Sequence, residues 1–265
     1  MRDLFSDSSH RPPLSLDVPS YKIERDIKGL QELEFLISSS AHKQSLPYPF
    51  IFGVDEAGRG PWAGPVVAAA VMFPLEFSTE LACGKQTAQT KILAQLNDSK
   101  KLSEAQRLAL IKPICRLALG VGVGIAGPRK IEELNIAQAN YWAMRTAISK
   151  ALKQAQKTLA QQEQCTRLLT PLVLVDGSHK IPQLSMPQEA IVKGDQRSYH
   201  IAAASIVAKV TRDKIMQAAD RHFPDYGFAQ HKGYGTKAHQ IALQKKGICE
   251  IHRRNYKPIK ALLES

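Results

Sequence analysis

The stretch IFGVDEAGRGPWAGPVVAAAV, residues 51–71, constrains the fold more than any other part of the sequence. Its apolar ends predict two strands, PFIFGVDE and residues 64–74, and the Gly- and Pro-rich segment between them predicts a turn. Asp55 and Glu56 therefore stand side by side where a buried strand ends. Because adjacent carboxylates repel each other, this position requires a compensating positive charge nearby.

Hydrophobic patterning over the rest of the chain predicts a mixed sheet with helices. An apolar run that ends in Asp-Gly is typical of a strand buried on both faces, and an Ala-rich segment that is apolar all round predicts a buried helix. Alternating strands and helices of this kind indicate an α/β or α+β fold. The predicted strands are 119–128, 171–177 and 189–195. The predicted helices are a short one that includes Leu110, Ile111 and Ile114, then 131–164, 198–223, and one that follows the loop 227–237 and ends at Gly247.

The N-terminal part of the chain differs in character from the rest. Residues 1–20 are rich in Ser, Pro and Asp, residues 23–37 carry apolar side chains at helical spacing, and SSSAHKQSLPYP then predicts a linker. We expect residues 1–48 to form an N-terminal extension, partly flexible and with one helix. Residues 49–265 are then one folded domain with a C-terminal helical segment.

Charge and cysteine content narrow the class of protein. The chain has 36 Lys and Arg against 24 Asp and Glu, with a pI near 9.6, which favours a polyanionic partner, nucleic acid first and an anionic membrane second. No apolar run reaches the roughly 18 residues of a membrane span, and there is no secretory signal. The four cysteines form no C-x-x-C pair, which disfavours disulfides and structural zinc. We expect a soluble, cytoplasmic protein without a membrane partner, and a monomer by default.

Acidic residues end three of the predicted strands: Asp55 with Glu56, then Asp176, then Asp195. Neighbouring strands lie about 4.8 Å apart, so these side chains can converge on one point. Carboxylate oxygens are the ligands that Mg²⁺ and Mn²⁺ prefer. Two such ions about 4 Å apart activate water and stabilise the leaving oxygen in phosphodiester hydrolysis.

Each of these residues also has a structural interpretation. Asp176 and Asp195 are each followed or preceded by glycine and could simply open turns, and Asp55 with Glu56 could be a solvated strand end. Asp213 is a rival fourth ligand, but the cations beside it favour a salt bridge. A solvated surface role is expected for Lys101, Arg197, Arg212 and Lys214. A structural role is expected for His179, His200, His231 and His239. Arg253 and Arg254 either add weak affinity for nucleic acid or add none.

The ordered motifs GVDEAGRGPWAGPVVAAAV, NDSKKL, VDGS, VKGD with AAASIVAKVTRD, and GYGT resemble ribonuclease HII over residues 50–257. The resemblance implies a ribonuclease H-like fold, in which a five-stranded mixed sheet with three antiparallel strands first is flanked by helices. It implies an endonuclease that cuts the RNA strand of RNA/DNA hybrids and nicks DNA 5′ to a single ribonucleotide, leaving 3′-hydroxyl and 5′-phosphate ends. The implied ligands of two Mg²⁺ or Mn²⁺ ions are Asp55, Glu56, Asp176 and Asp195.

The resemblance also implies residues that bind substrate. Gly58, Arg59 and Gly60 match the element that contacts the RNA–DNA junction, where glycine would let the backbone approach a 2′-hydroxyl. Tyr234 matches the tyrosine that stacks on the junction sugar. Ser99, Lys100 and Lys209 match positions near the backbone phosphates. The alternatives are a tight turn at the glycines and a buried loop aromatic at position 234.

Two other classes of function compete with the nuclease. A pure nucleic-acid-binding module would use the same basic surface, but it has no need of converging acids that repel phosphates. Another two-metal nuclease of related fold, such as a resolvase or integrase, would need no sensor of the 2′-hydroxyl. Two parts of the chain depart from the resemblance, namely the N-terminal extension and the somewhat long segment of residues 74–96. In addition, no PCNA-type docking motif is evident near the C-terminus.

Overall fold

The computed structural model describes residues 50–74, 77, 80, 85–96, 99–161 and 171–264. The expected extension over residues 1–48, with its helix, lies outside these ranges. The division of the chain into an extension and one folded domain therefore stays a prediction.

A single five-stranded mixed sheet forms the centre of the described chain, in the order β3-β2-β1-β4-β5. The first three strands pair antiparallel, and β4 and β5 run parallel to β1. This confirms the predicted fold class, including the three antiparallel strands at the start. The strands are β1 Ile51–Ala57, β2 Val66–Phe73, β3 Gly120–Ala126, β4 Leu172–Asp176 and β5 Gln188–Ile191.

Several of the helices begin after side chains that cap their free amides. Ser103, Ser198 and Thr236 each accept a hydrogen bond from a backbone N–H in the first turn of the helix that follows. The long predicted helix begins at Pro128, earlier than expected, and is interrupted at Asn135, whose φ is 62°. The described helices are α1 Ala88–Leu93, α2 Glu104–Leu117, α3 Pro128–Gln161, α4 Tyr199–His222, α5 Phe228–His231, α6 Lys237–Lys246 and α7 Lys257–Leu263.

Three of these helices are not in the sequence prediction. Helix α1 lies in the segment of residues 74–96, α5 lies in the predicted loop, and α7 follows the basic tail. All three are short, and a short helix carries too few turns to establish a clear apolar period. Their stability comes from packing rather than from propensity.

Helices α3 and α4 cover opposite faces of the sheet. Phe52 and Val54 of β1 pack with the alanines of α3, whereas Val71 and Phe73 of β2 pack with α4. Helix α3 lies very close to β3, because a Cβ added at Gly122 would be 2.0 Å from the carbonyl oxygen of an α3 residue. The glycine–valine alternation of β3 therefore serves this close approach. Among the described residues, none of the helices combines the length and apolar character that crossing a membrane would require.

The C-terminal helices pack around a smaller apolar cluster of their own. Phe228 and Leu243 of this cluster are buried with Met216, at the end of α4, and with Ala63, from the loop that follows β1. The cluster therefore fastens the C-terminal part of the chain to the loop that connects β1 and β2.

Candidate active site

Asp55 and Asp176 lie next to each other at the carboxyl end of the parallel pair of strands. Val54 pairs with Val175 in the ladder between β1 and β4, so the next residue on each strand is one of these two acids. Side chains alternate between the two faces of a strand, and both acids face α4. The strand ends thus bring these two carboxylates together, as the sequence predicts.

Burial dominates the electrostatics of Asp55. It raises the pKa of this carboxyl well above its ordinary value, and the nearby charges of Glu56 and Asp176 raise the pKa further. A hydrogen bond from Ser205 on α4 and one from the backbone N–H of Glu56, at 2.6 Å, act in the opposite direction. The carboxylate is therefore held in a place where a cation would stabilise it.

Glu56 faces the opposite side of the sheet, towards α3. Burial raises the pKa of its carboxyl; the Arg59 guanidinium and a hydrogen bond from Asn140 lower the pKa, and Asp176 raises it. The ion pair with Arg59 is long, 3.4 Å, and the arginine side chain is largely exposed. An exposed ion pair of this kind contributes little to stability. A further positive charge near Glu56 would therefore stabilise its carboxylate, as it would that of Asp55.

The fourth predicted acid, Asp195, lies in a turn rather than at the end of a strand. Strand β5 ends at Ile191, so the expectation that it continues to Asp195 is wrong. Lys193 adopts a left-handed conformation with φ 55°, and a short 3-10 helix, Gly194–Gln196, follows. The Gly194 N–H donates to Asp176 Oδ1 at 2.7 Å, which places the backbone of the buried Asp195 beside Asp176.

The arrangement of the acids bears on whether they could hold a metal ion. Among the residues that the structure describes, no three His, Cys, Asp or Glu side chains are grouped closely enough to hold one as they stand. The donors are nonetheless carboxylate oxygens, which divalent magnesium and manganese prefer. Burial and mutual repulsion raise the pKa of Asp55 and Glu56, and a divalent cation would relieve both effects. The residues present therefore fit such an ion chemically.

Asn140 is a site residue that the sequence analysis missed. It lies on α3, is 3% exposed and donates to Glu56. Its Oδ1 has no hydrogen-bond partner within the described part of the chain. The available signal was periodicity, because Asn140 lies four residues before the buried Met144 on the apolar stripe of the helix.

Residues 58–64, which we call the glycine loop, contain three glycines, and the surroundings of Gly58 and Gly60 differ. Gly58 has φ +98°, and a Cβ there would lie 2.0 Å from Arg212 Nε, so the fold itself requires glycine. At Gly60 an added Cβ would meet only Tyr234 Cε1, at 3.8 Å. The tight-turn interpretation therefore accounts for Gly58 but not for Gly60.

Tyr234 is 45% exposed, so it is not the buried aromatic of the alternative interpretation. Its ring centroid lies 5.9 Å from Arg212 Cζ. Together with the exposed Arg59 and Gly60, the ring forms an open surface beside the acids.

The expectation of a solvated surface role for Arg212 is wrong. The side chain is buried, and it donates to the carbonyl oxygens of Pro65 at 3.0 Å, Ala63 at 3.2 Å and Lys232 at 2.9 Å. Burial lowers the pKa of its guanidinium to about 10, so the group stays charged at neutral pH. Arg212 thus joins the glycine loop to the segment that carries Tyr234.

Of the two possibilities left open for Arg253, weak nucleic-acid affinity or none, its burial favours the second. Arg253 is 0% exposed and donates to the carbonyl oxygens of Gly58 at 2.6 Å, Arg59 at 2.9 Å and Gly64 at 2.8 Å. Sequence alone could not reveal this, because the acceptors are backbone atoms almost two hundred positions away along the chain.

Two residues expected near phosphates are engaged inside the protein. Ser99 is buried, and its hydroxyl shares a hydrogen bond of 2.8 Å with the hydroxyl of Ser205, the residue that also bonds to Asp55. Lys209 forms an ion pair of 2.7 Å with Asp213, which has the salt-bridge role that the sequence predicts. Contact of Ser99, Lys100 and Lys209 with phosphate stays a prediction.

Comparisons with known proteins address the family and the fold of this chain. The sequence model of the family described as Ribonuclease HII matches residues 52–259. Ribonuclease HII of Maricaulis maris is 45% identical over 215 residues, covering 81% of this chain and 85% of that protein. The crystal structure of ribonuclease H2 from Pyrococcus horikoshii has a TM-score of 0.55 at 22% identity and covers 81% of this chain and 97% of that one. A structure of Bst-RNase HIII in complex with Mn²⁺ has a TM-score of 0.57 at 15% identity, covering 88% and 80%. The two structures share the fold of this chain.

Proposed function

The chain belongs to the ribonuclease HII family, and on that premise we propose that it nicks duplex DNA 5′ to a single ribonucleotide by a two-metal-ion mechanism. The family consists of ribonucleases H, metal-dependent hydrolases that act as endonucleases on RNA/DNA hybrids. The proposed products are 3′-hydroxyl and 5′-phosphate ends. The observation that carries the proposal is the neighbouring position of Asp55 and Asp176 at the ends of two parallel strands, with Glu56 beside them.

Asp55, Glu56, Asp176 and Asp195 are the proposed ligands of Mg²⁺ or Mn²⁺. When bound, the two ions would supply an activated water and stabilise the departing 3′-oxygen. The Mn²⁺ in the Bst-RNase HIII structure supports this class of metal. The protein's own contribution is to hold the carboxylates in place before metal and substrate arrive.

Hydrogen bonds from both helices orient these acids. Ser205 donates to Asp55 from α4, Asn140 donates to Glu56 from α3, and the Gly194 amide donates to Asp176. The bonds to Asp55 and Glu56 favour the ionised carboxylate, which is the form that binds a cation. Preorganised ligands of this kind lose little conformational freedom on binding.

The glycine loop and Tyr234 are the proposed readers of the ribonucleotide. Because no side chain fills the space at Gly60, a bound ribonucleotide would lie close enough for the backbone of the loop to contact its 2′-hydroxyl. This hydroxyl is the group that distinguishes RNA from DNA. The exposed ring of Tyr234 stands at the edge of that space and would stack on the sugar. The partners are therefore RNA/DNA hybrids and ribonucleotide-containing duplex DNA, and a monomer remains the expected state.

A module that only binds nucleic acid is the competing proposal. It is disfavoured because Asp55 and Glu56 are buried beside each other at a cost, and because their charges repel the phosphates that such a module must attract. A resolvase or integrase is disfavoured by the open surface at Gly60 and Tyr234, which those activities do not need.

The test replaces Asp176 by Asn, a change that keeps shape but removes the charge. Asp176→Asn should lower cleavage of a labelled RNA/DNA hybrid at least about a thousandfold, while the hybrid Kd changes less than about threefold. Mn²⁺ titration by calorimetry should show weakened binding. The matched control is Asp225→Asn, an exposed acid that pairs with Lys246. Activity of Asp176→Asn close to that of the control would refute the ligand assignment.

A further inference from the structure

The buried guanidinium of Arg253 reaches the glycine loop from the C-terminal part of the chain. It binds three carbonyl oxygens of the loop and also donates to the Tyr256 hydroxyl at 2.8 Å. Tyr256 in turn donates to the carbonyl oxygen of Arg59 at 2.5 Å. Burial lowers the pKa of Arg253, and a buried cation is costly unless its donors are satisfied. Here carbonyl groups of one loop satisfy them.

These bonds fix the direction of the loop's peptide groups. In a trans peptide the carbonyl and the following N–H point in opposite directions. Because the carbonyls of Gly58 and Arg59 point inward to Arg253, the amides of Arg59 and Gly60 point outward, to the exposed side where Tyr234 lies. Two adjacent outward amides are suitable donors to an oxygen of a ligand.

The same C-terminal segment also contacts the segment that carries Tyr234. The Arg253 N–H donates to the Trp62 carbonyl at 2.8 Å, and the Trp62 N–H donates to the Gly233 carbonyl at 2.8 Å. Backbone hydrogen bonds thus connect Arg253, the glycine loop and the residue before Tyr234. The relative position of loop and ring depends on this connection.

We propose that Arg253 and Tyr256 are positioning residues for ribonucleotide recognition. They hold the glycine loop so that the amides of Arg59 and Gly60 face the sugar of the ribonucleotide beside Tyr234. The inference rests on the proposed function. It assigns the specificity of the site in part to two C-terminal residues, neither of which is expected to contact the substrate.

The test uses Tyr256→Phe, which keeps the ring but removes the hydroxyl between Arg253 and Arg59. Its kcat on a duplex with one ribonucleotide should fall on the order of tenfold, with KM changed less than about twofold, because a loosened loop misplaces the reacting sugar rather than weakening the other contacts. Arg253→Lys keeps the charge but loses the planar fork of donors, and its kcat should fall on the order of a hundredfold.

The matched control is Tyr226→Phe, which removes a hydroxyl that donates to the Gly247 carbonyl at 3.1 Å in the same C-terminal part. It should lower Tm about as much as Tyr256→Phe while keeping wild-type kcat. Wild-type kcat in both Tyr256→Phe and Arg253→Lys would overturn the inference, as would losses of kcat that follow Tm alone across the three variants. Failure of the proposed function would differ, because the wild-type protein itself would then not nick the duplex.

Discussion

His239 and His252 share one hydrogen bond between their Nε2 atoms, which lie 3.0 Å apart. His239 Nδ1–H donates to the Tyr234 carbonyl at 3.0 Å, so its Nε2 accepts from His252 Nε2–H. His252 Nδ1 then accepts from the Cys249 N–H at 2.9 Å. Both rings are neutral in this chain of bonds, and His239 has the structural role that the sequence predicts.

The histidine pair makes stability depend on pH. Burial is the main cause that lowers the pKa of both His239 and His252 to about 4, whereas the unfolded value is near 6.5. As the pH falls from 6.5 to 4, the unfolded chain binds protons before the folded chain does. The free energy of unfolding should therefore fall with pH through this window and show no histidine contribution above about pH 7.

Urea unfolding of the wild type and of His252→Gln between pH 4 and 8 measures this effect. The variant should be less stable at pH 8, and its stability should depend less steeply on pH between 6.5 and 4. Equal slopes for the two proteins would contradict the assignment of the titration to this pair. Asp55 and Glu56, whose pKa values are raised, contribute with the opposite sign but equally to both proteins.

Gly58 and Gly60 of the glycine loop should respond differently to alanine. Gly58→Ala should cost about 3 kcal/mol of stability, because φ is positive and the Cβ would collide with Arg212. Gly60→Ala should change stability by less than about 0.5 kcal/mol yet reduce nicking at a ribonucleotide on the order of a hundredfold. Urea unfolding and a nicking assay separate the two effects. Full activity of a folded Gly60→Ala protein would show that the substrate does not use this space.

Asn140 should set the acid limb of the pH–rate profile. Its hydrogen bond lowers the pKa of Glu56, so Asn140→Leu should raise that pKa and move the acid limb of kcat to higher pH. Stability should change little, since the variant also removes the unpaired Oδ1. An acid limb at the wild-type position would rule out this role.

The strands and the acids at their ends could be predicted from local pattern. The sequence shows apolar runs of strand length that end in Asp55 with Glu56 and in Asp176. Because the two strands are parallel neighbours, these acids lie at the same edge of the sheet. Asp195 could be identified but not placed, because its position depends on the left-handed turn at Lys193. A non-glycine residue with positive φ has no reliable sequence signal.

The support beneath the glycine loop could not be predicted. Arg212 and Arg253 stand among other charged residues, a pattern that is typical of a solvated surface. Both side chains are buried because they donate to backbone carbonyl groups that lie far away along the chain. Every residue type carries a backbone carbonyl, so such acceptors cannot be recognised from the sequence. Asn140 differs, because a polar residue on an apolar helical stripe is a visible signal.

Tyr234 should matter for activity rather than for folding. Since Tyr234 is 45% exposed and lies outside the buried core, Tyr234→Ala should change stability by less than about 0.5 kcal/mol. The rate of nicking at single ribonucleotides should nonetheless fall at least about tenfold, which corresponds to the free energy of one lost stacking contact. Equal proportional losses of stability and activity would identify the ring as a packing residue instead.

The most direct test of the account uses a labelled DNA duplex that carries one ribonucleotide, incubated with the purified protein and Mg²⁺ or Mn²⁺. An all-DNA duplex and a reaction with EDTA are the controls. The account predicts a metal-dependent nick immediately 5′ to the ribonucleotide, with a 3′-hydroxyl that a polymerase can extend, and no cut in the all-DNA duplex. Tight binding without a nick, or equal cutting of both duplexes, would contradict it.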